Sequence, residues 1–355
     1  MSTQTTPDAT DAASRNDDVL LSVEDLVVQF DTDGGTVHAV DGVSFDVREG
    51  ETLCIVGESG SGKTISCEAI TRLFRSPPGF IRGGSVEFDG TDLTSCSDDR
   101  LKEYRGNRIA HVFQNPQGAL NPVYTIGNQV REAVELHTDL EGSAIRDRVV
   151  DLLGEVGIPE PVTHLGDYPH ELSGGMKQRV VIAMALAGEP DLLIADEPTT
   201  ALDVTIQKQI LDLLNDVQER HDMSVIFVTH DLGVVAQIAD RVLVMYAGKV
   251  MERDDVFDLF ESPEHPYTAA LLDCLPGSGG LEGIPGDLPD PFNPPAGCRF
   301  AERCPAVTEE CIEGDQPPEY PVGSDDHTVS CVHHAPDGDP GELDGVTGAI
   351  GGDES

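Results

Sequence analysis

The run Gly57-Glu58-Ser59-Gly60-Ser61-Gly62-Lys63-Thr64 fits the pattern G-x-x-x-x-G-K-[ST]. In this pattern the glycines let backbone N–H groups converge on phosphate oxygens, the lysine reaches the β- and γ-phosphates, and the last hydroxyl ligates Mg²⁺. The sequence therefore predicts a site for a nucleotide phosphate. The predicted contacts are Gly57, Ser59, Gly60, Gly62, Lys63 and Thr64, of which Thr64 is also a Mg²⁺ ligand.

Two carboxylates, Asp196 and Glu197, follow the apolar run Leu192-Leu193-Ile194-Ala195. Sheets of α/β proteins place their ligands at the carboxyl ends of the strands. One carboxylate at such an end can hold Mg²⁺ through water, and the next can accept a proton from an attacking water. We therefore predict Asp196 as a metal ligand and Glu197 as the general base.

A second phosphate-contacting segment, Leu172-Ser173-Gly174-Gly175-Met176, opens a predicted helix. Ser173 suits the helix cap, and the two glycines leave backbone N–H groups accessible to an anion. One nucleotide needs only one phosphate cradle. We therefore expect Ser173, Gly174 and Gly175 to contact the nucleotide of a facing subunit.

These segments must be positioned by alternating strands and helices. Apolar β-rich runs such as LLSVEDLVVQF and ETLCIVG are separated by Asp-Gly and Glu-Gly turns. Helical periodicity is present in GSAIRDRVVDLLGEVG and GGMKQRVVIAMALAGE, and two strand–helix units follow, DLLIADE with VTIQKQILDLLNDVQERH and SVIFVTHD with LGVVAQIA. This alternation predicts an α/β fold with a largely parallel sheet.

The order of the phosphate loop, the glycine-containing helix start and the Asp-Glu pair resembles that of ATP-binding cassette (ABC) transporter ATPases. The resemblance implies a P-loop NTPase core with a helical subdomain and a β-rich N-terminal part. It also implies ATP and Mg²⁺ as cofactors, and two nucleotides held between two ATPase subunits.

Further site residues are implied by this resemblance. Gln114 in VFQNP resembles the glutamine that senses Mg²⁺ and contacts the permease, Asp203 in TALD lies in the segment called the D-loop, and His230 in VTHD resembles the switch histidine at the γ-phosphate. The predicted catalytic set is thus Glu197, His230 and Gln114, with Gln114 also a Mg²⁺ ligand. Phe30 is the best match to the aromatic residue that stacks on adenine, and an ordinary core role for Phe30 stays open.

The segment SPEHPYT at 262–268, with AALLDCLP and GCRFAERCP after it, resembles the tail of di- and oligopeptide importer ATPases. GESGSGKT, LNPVYTIGNQ, IADEPTTALDVTIQ and MYAGKVME are similar to the D-type of the two nonidentical ATPases of such importers. The resemblance implies peptide uptake at the cytoplasmic face of the membrane. The implied partners are an F-type ATPase subunit, two integral-membrane permeases and an extracellular solute-binding protein.

Two other functions stay open. Relatives in the same group import nickel, so the cargo can be nickel or another small solute. Soluble ABC ATPases of DNA repair or translation form a different class, which we disfavour because we identify no coiled-coil insertion, duplicated cassette or basic surface in this sequence.

Four of the eight cysteines lie close together near the C-terminus, at Cys298, Cys304, Cys311 and Cys331. Four thiolates suit Zn²⁺ or an iron–sulfur cluster, but their spacing matches neither paired C-x2-C zinc modules nor the ferredoxin run. The resemblance to peptide-importer tails favours a [4Fe-4S] cluster, with zinc and free thiols as alternatives. We expect the cluster to fold its module and its loss to leave the ATP site intact. Substitute ligands, or else exposed bystanders, are His327, His333 and His334.

Composition indicates where the domains begin and end. We predict a disordered tail at 1–18, an ABC ATPase domain at 19–261 with its helical subdomain at about 115–185, a C-terminal extension with the four-cysteine module at 262–334, and a disordered acidic tail at 335–355.

The chain carries 22 basic and 65 acidic residues and a net charge of −43. This charge argues against nucleic acid as a partner, because nucleic-acid binding needs clustered cations. A carboxylate excess with few lysines resembles adaptation to a salt-rich cytoplasm, and an ordinary acidic protein with disordered ends is the alternative. The longest apolar stretch, 180–187, is far shorter than the ~20 residues of a membrane-spanning helix. The polar N-terminus resembles no secretory signal, so we expect a cytoplasmic location.

Overall fold

The computed structural model describes residues 19–114, 116–200, 202–275, 283–343 and 345–346. The predicted N-terminal tail, 1–18, lies outside these described residues, as do residues 344 and 347–355 of the predicted acidic tail. Among the helices of the described ranges, none combines the length and apolarity that crossing a membrane requires.

Twelve strands and twelve α-helices are present in the described residues. The strands are β1 (Val19–Thr32), β2 (Gly35–Arg48), β3 (Thr52–Val56), β4 (Gly79–Phe88), β5 (Thr91–Asp92), β6 (Ile109–Val112), β7 (Leu192–Asp196), β8 (Ser224–Thr229), β9 (Arg241–Tyr246), β10 (Lys249–Asp255), β11 (Tyr320–Val322) and β12 (Ser324–Val329). The helices are α1 (Lys63–Ile70), α2 (Asp98–Leu101), α3 (Pro116–Ala119), α4 (Ile126–His137), α5 (Ser143–Glu155), α6 (Pro161–His164), α7 (Gly174–Ala185), α8 (Val204–His221), α9 (Leu232–Ile238), α10 (Val256–Glu261), α11 (Pro266–Asp273) and α12 (Glu309–Glu313).

The strands form two sheets. A four-stranded antiparallel sheet has the order β2-β1-β4-β5, and an eight-stranded sheet has the order β11-β12-β10-β9-β3-β8-β7-β6. In the larger sheet β9, β3, β8, β7 and β6 are parallel, whereas β10, β12 and β11 pair antiparallel. The predicted α/β fold with a largely parallel central sheet is confirmed.

The parallel strands are apolar on both faces because both faces are covered. Every residue of β3, β7, β8 and β9 is buried. Alternate side chains of β8 belong to different cores: Ile226 packs in the cluster between the two sheets, and Phe227 packs in the cluster beneath the helices. The period of two in a strand thus divides one apolar run between two hydrophobic cores.

Helices α3 to α7 occupy the stretch that was predicted as a helical subdomain. Helices α4, α5 and α7 pack against one another, with Val130, Leu152 and Val180 buried in their shared core. This group of helices carries the Ser173 segment at the start of α7.

The C-terminal extension continues the central sheet. Strand β12 pairs with β10, with Glu252 opposite Val329, and β11 pairs with β12. His327 and His333 are only 9% and 4% exposed, so the suggestion that they are exposed bystanders is wrong. The Glu252 carboxylate lies 3.2 Å from the His327 ring, and the Ala306 carbonyl oxygen lies 2.9 Å from the His333 ring. These polar partners explain how the two rings can be buried.

The start of the predicted acidic tail also differs from the prediction of disorder. Residues Pro340–Leu343 form a short 3-10 helix, and Leu343 is 1% exposed. Its side chain packs with Val329 and Cys331. Burial of this one apolar residue fixes the segment against the module, a contact that tail composition does not indicate.

Candidate active site

The phosphate loop connects β3 to α1 and requires glycine at two of its positions. Gly57 has φ +147°, and a side chain there would overlap the carbonyl oxygen of Met245. Gly62 has φ +99°, and a Cβ atom there would lie 2.5 Å from the carbonyl oxygen of Ala39. The loop can adopt this shape only without side chains at these points.

Lys63 lies inside the curve of the loop. Its Nζ atom donates to the carbonyl oxygens of Gly57 at 2.7 Å and Glu58 at 2.8 Å, and lies 3.2 Å from Oγ of Ser61. Burial lowers the pKa of Lys63, while the nearby carboxylates of Glu197 and Asp196 oppose this shift. A buried ammonium in this position can balance the charge of a phosphate group.

The rest of the predicted phosphate contacts are accessible. Ser59, Gly60 and Thr64 are exposed. Lys63 and Thr64 stand in the first turn of α1, where backbone N–H groups have no acceptor within the helix. The loop and helix start together can therefore bind an anion.

Asp196 ends β7 beside the phosphate loop. It is 8% exposed, and burial raises its pKa, although a hydrogen bond from Thr64 and the charge of Lys63 act in the opposite direction. The predicted Mg²⁺ ligands Thr64 and Asp196 are thus in contact. A hydroxyl next to a carboxylate at a phosphate loop is a suitable donor set for Mg²⁺.

Glu197 follows directly and is held by three polar side chains. Its Oε2 atom accepts hydrogen bonds from Nε2 of Gln114 at 2.6 Å and from Oγ1 of Thr200 at 2.9 Å, and its Oε1 atom lies 2.9 Å from Nδ1 of His230. Glu197 has φ +44°, which non-glycine residues rarely adopt. Burial raises the pKa of Glu197, but the contacts with His230, Thr200 and Gln114 outweigh burial and lower it. This carboxylate is therefore ionised at neutral pH and able to accept a proton.

The order of the parallel strands explains why these side chains meet. Gln114 lies two residues after β6, Glu197 follows β7, and His230 follows β8. Strands β6, β7 and β8 are neighbours in the sheet, so their carboxyl ends lie side by side. Thr200 was not among the predicted site residues, and its place three residues after Glu197 is the one signal in the sequence from which this contact could have been found.

The second phosphate-contacting segment is also ordered as a helix start. Ser173 caps α7 by accepting a hydrogen bond from the backbone N–H of Met176 at 3.3 Å. Ser173 and Gly174 are exposed, whereas Gly175 lies so close to Ile206 that a Cβ atom would approach its side chain to 2.7 Å.

Asp203 performs the same capping role for the next helix. Its Oδ1 atom accepts hydrogen bonds from the backbone N–H groups of Thr205 at 3.1 Å and Ile206 at 3.0 Å. Because Ile206 also packs on Gly175, the starts of α7 and α8 are neighbours. The structure therefore places Asp203 and the Ser173 segment on adjoining helix ends.

Phe30 lies in β1, opposite Val37 of β2 and Gly79 of β4. Its half-buried ring meets the ring of Phe74 edge-on, with the centroids 5.8 Å apart. The predicted stacking on adenine stays a prediction.

The four late cysteines form no disulfide within the described residues, and Cys298, Cys311 and Cys331 are buried. The Cys298 backbone N–H donates to the carbonyl oxygen of Cys311 at 2.9 Å. Within the described ranges, no three His, Cys, Asp or Glu side chains are grouped closely enough to hold a single metal ion.

Comparison with known families gives two matches along the chain. The ABC transporter family matches residues 40–200, which include the phosphate loop and Glu197. The family described as the oligopeptide/dipeptide transporter C-terminal region matches residues 251–311.

Curated relatives are similar over most of the chain. The oligopeptide transport ATP-binding protein OppD of Bacillus subtilis is 48% identical, over 91% of this chain and 92% of its own length. The dipeptide transport ATP-binding protein DppD is 50% identical in Bacillus subtilis, over 88% of this chain and 94% of its own, and 47% identical in Escherichia coli, over 82% and 90%.

Solved structures agree with the fold. A dimeric post-hydrolysis structure of the ATP-binding cassette MJ0796 bound to ADP and Pi has a TM-score of 0.59 and 28% identity, over 66% of this chain and 98% of that one. The cbiO1 protein of Clostridium perfringens, part of the ABC transporter complex cbiONQ, has a TM-score of 0.58 and 30% identity, over 68% and 91%. This chain therefore belongs to the ABC transporter family, among the oligopeptide and dipeptide transport ATP-binding proteins.

Proposed function

We propose that this chain hydrolyses ATP to drive the uptake of di- and oligopeptides through an ABC importer. The observation that carries the proposal is the Glu197 carboxylate, which Gln114, Thr200 and His230 hold at the end of β7 beside the phosphate loop. The relatives named for oligopeptide and dipeptide transport favour peptides over nickel as the cargo.

In this proposal each residue at the strand ends has a separate task. Lys63 and the N–H groups at the start of α1 bind the phosphates. Thr64, Asp196 and Gln114 hold Mg²⁺, which offsets the phosphate charge when bound. Glu197 accepts the proton of the attacking water. His230, in contact with Glu197, orients the Glu197 carboxylate toward the γ-phosphate.

Replacing the base tests this assignment. Glu197→Gln keeps the size of the side chain but removes its proton affinity, so hydrolysis should fall about 10²–10⁴-fold while ATP binding persists. Turnover is measured in the assembled pair of ATPase subunits, with Glu219→Gln, an exposed site on α8, as the matched control. Near-normal turnover by Glu197→Gln would remove Glu197 from this role.

We propose that the exposed helix starts complete the nucleotide site of a facing subunit. Ser173, Gly174 and Gly175 would contact the phosphates bound to that subunit. Asp203, at the adjoining helix start, would face the same nucleotide across the interface. Exposure of Ser173 and Gly174 supports this role, since both remain accessible to a second subunit. The facing subunit would be an F-type paralogue.

The proposed assembly has three further members and a fixed location. Two integral-membrane permeases would bind the helical subdomain at the cytoplasmic face of the membrane, and an extracellular protein would deliver the peptide. We also propose that Phe30 stacks on adenine.

We infer that Cys298, Cys304, Cys311 and Cys331 bind one [4Fe-4S] cluster. Burial raises the pKa of Cys298 to about 12 and that of Cys304 to about 11. Burial, with a smaller contribution from the other three thiols, raises the pKa of Cys331 to about 12, so the four cysteines are near enough to interact. Buried thiols of this kind become thiolates when a metal centre compensates their charge.

Backbone hydrogen bonds to sulfur also support a cluster. They reach Cys298 from Phe300 and Ala301, Cys304 from Ala306, and Cys331 from His333, and each lowers the pKa of its cysteine. Such bonds stabilise and tune metal-bound thiolates. When bound, the cluster cross-links the module through iron–thiolate bonds.

Metal analysis tests the cluster directly. Protein purified without oxygen should contain about four irons and four sulfides per chain. Cys304→Ser should lose both, whereas Cys96→Ser, at a half-buried thiol on another part of the chain, should retain them. One zinc without sulfide would contradict the cluster.

We further propose that the acidic composition is an adaptation to molar salt. A net charge of −43 repels itself in dilute buffer, and at ~1 M salt the screening length falls to about 3 Å.

A further inference from the structure

Glu58, the second residue of the phosphate loop, is held by two separate parts of the C-terminal extension. The Arg303 guanidinium donates to both carboxylate oxygens of Glu58, from Nη1 at 2.6 Å and from Nη2 at 3.2 Å. The backbone N–H of Glu58 donates to the hydroxyl oxygen of Tyr267 at 2.9 Å. The loop pattern allows any residue at this position, so phosphate binding alone does not explain these contacts.

Arg303 is fixed by its other contacts. Its side chain is only 3% exposed and also donates to the carbonyl oxygens of Ile284 at 2.7 Å and Pro285 at 2.9 Å. Its Nη1 atom donates to the hydroxyl of Tyr246 at 2.9 Å. A planar guanidinium held in this way can orient a carboxylate through paired hydrogen bonds.

Three aromatic rings connect the extension to the sheet behind the loop. Tyr246 of β9, Tyr267 of α11 and Phe300 are at most 1% exposed. The ring centroids lie 4.6 Å apart for Tyr246 and Tyr267, 5.4 Å for Tyr246 and Phe300, and 5.2 Å for Tyr267 and Phe300. Buried aromatic pairs at these distances attract one another, so this cluster gives the extension a rigid seat beside the loop.

The contacts at Glu58 pass directly to the phosphate-binding lysine. The Glu58 carbonyl oxygen accepts hydrogen bonds from Nζ of Lys63 at 2.8 Å and from the backbone N–H of Ser61 at 3.2 Å. A shift of Glu58 therefore changes the position of Lys63. A carboxylate beside a phosphate site also repels phosphate unless a cation neutralises it, and Arg303 supplies that cation.

We propose that the C-terminal extension is a working part of the ATP site, in which Arg303 and Tyr267 are positioning residues that hold Glu58 and neutralise its charge. The proposal rests on the proposed ATP binding at this loop. It assigns to the extension an effect on nucleotide affinity that is separate from peptide transport.

The position of Arg303 links this effect to the cysteines. Arg303 ends a short 3-10 helix, Ala301–Arg303, that lies between Cys298 and Cys304. The Ala301 backbone N–H donates to the Cys298 carbonyl oxygen at 3.0 Å. Loss of ligation at Cys298 and Cys304 would therefore free Arg303. The expectation from the sequence that the ATP site survives loss of the cluster stays a prediction, and nucleotide binding by Cys304→Ser decides between the two.

The test compares two buried arginines of the same module. Arg303→Met removes the contact with Glu58. Arg299→Met is the matched control, because Arg299 is equally buried but pairs with Asp41 of β2. Affinity for a fluorescent ATP analogue with Mg²⁺ is measured in the full chain at molar KCl, and limited proteolysis reports whether the extension remains docked.

Arg303→Met should weaken nucleotide binding about ten- to a hundred-fold, the range expected for lost charge-assisted hydrogen bonds. Arg299→Met should stay within about twofold of wild type. In a Glu58→Gln background the loss from Arg303→Met should shrink, because the uncompensated carboxylate is gone. Cys304→Ser should weaken nucleotide binding as Arg303→Met does, measured without any turnover.

Two results would overturn the proposal. One is wild-type affinity in Arg303→Met while proteolysis shows the extension docked. The other is an equal loss in Arg299→Met, which would mean general destabilisation. If Arg303→Met does not fold, Arg303→Gln, which also removes the charge and the paired hydrogen bonds, is compared with Arg299→Gln in the same way. Wild-type protein that binds no ATP would contradict the proposed function, and this inference with it.

Discussion

The strand-end site and the docked extension are held together by different kinds of contact. Gln114, Glu197 and His230 meet because each follows one of three neighbouring parallel strands. Arg303 meets Glu58 because a segment 245 residues further along the chain packs back onto the loop. The first site depends on sheet register, and the second depends on tertiary docking. Substitutions in the hydrophobic core should therefore unfold both regions. Substitutions that break the contacts between the extension and Glu58 should leave the central sheet folded.

Breaking a buried ion pair of the sheet should have the largest effect. Nη1 of Arg241 lies 3.0 Å from Oε1 of Glu51, and the two side chains are 6% and 7% exposed. Arg241→Met leaves the buried Glu51 carboxylate without the cation that pairs with it, so the free energy of unfolding should fall by about 3–5 kcal/mol. Denaturant unfolding at molar KCl measures this loss.

The control for that variant is an exposed pair on a helix. Arg131 contacts Glu135 one turn away, and its side chain is 60% exposed. Arg131→Met should change the free energy of unfolding by less than about 1 kcal/mol. Equal losses in the two variants would show that burial of Arg241 does not set its importance.

Removing the lysine of the phosphate loop should weaken ATP binding but leave the extension packed against the loop. Lys63→Ala removes charged donors from the phosphates, and ATP affinity should fall about ten- to a hundred-fold. The extension should stay resistant to proteolysis, because its contacts with Glu58 remain. Lys208→Ala, at an exposed site on α8, is the charge-matched control. A protease-sensitive extension in Lys63→Ala would mean that the two regions are not separable.

Salt should stabilise both regions together. Dilution of KCl from molar to millimolar concentration lengthens the screening distance and restores repulsion among the carboxylates. The melting temperature, measured by circular dichroism against KCl concentration, should rise with salt. NaCl at equal ionic strength serves as the control for screening. A flat or falling curve would contradict a salt adaptation.

Acidification should destabilise the folded protein through one buried histidine of the extension. Burial lowers the pKa of His265 to about 4 from 6.5, although the Glu252 carboxylate opposes the shift. The unfolded chain then binds the proton more readily than the folded chain does. Stability should therefore decrease as pH falls from 6.5 to 4, by at most about 1.4 kcal/mol per pH unit for this one group.

His265→Asn isolates that contribution. Asparagine can still cap α11, where the His265 ring accepts from the Tyr267 backbone N–H at 3.0 Å, but it does not titrate. The difference in unfolding free energy between wild type and variant should therefore change with pH in this window, since other titrating groups cancel. A constant difference would show that His265 is not the group responsible.

Local sequence patterns indicate Glu197 at a strand end but not the docked extension, and Gln114 and His230 were implied only by the family resemblance. Gly57 and Gly62 are indicated by the loop pattern, and Glu197 by its place after an apolar strand. Arg303 and Tyr267 lie in a stretch whose composition suggests a separate loop-rich module, and no short-range pattern relates them to Glu58. Strand β12 was missed for the same reason, because its pairing with β10 is decided by the register of distant segments and not by its own residues.

The most direct test of the account is peptide uptake by the reconstituted transporter. The chain is assembled with its F-type partner and two permeases in vesicles at molar KCl, and accumulation of a labelled dipeptide is followed with and without ATP. Wild-type chain should give ATP-dependent uptake, and Glu197→Gln should abolish it while still binding ATP. Uptake that is equal with Glu197→Gln, or wild-type hydrolysis of ATP without any peptide accumulation, would contradict the account.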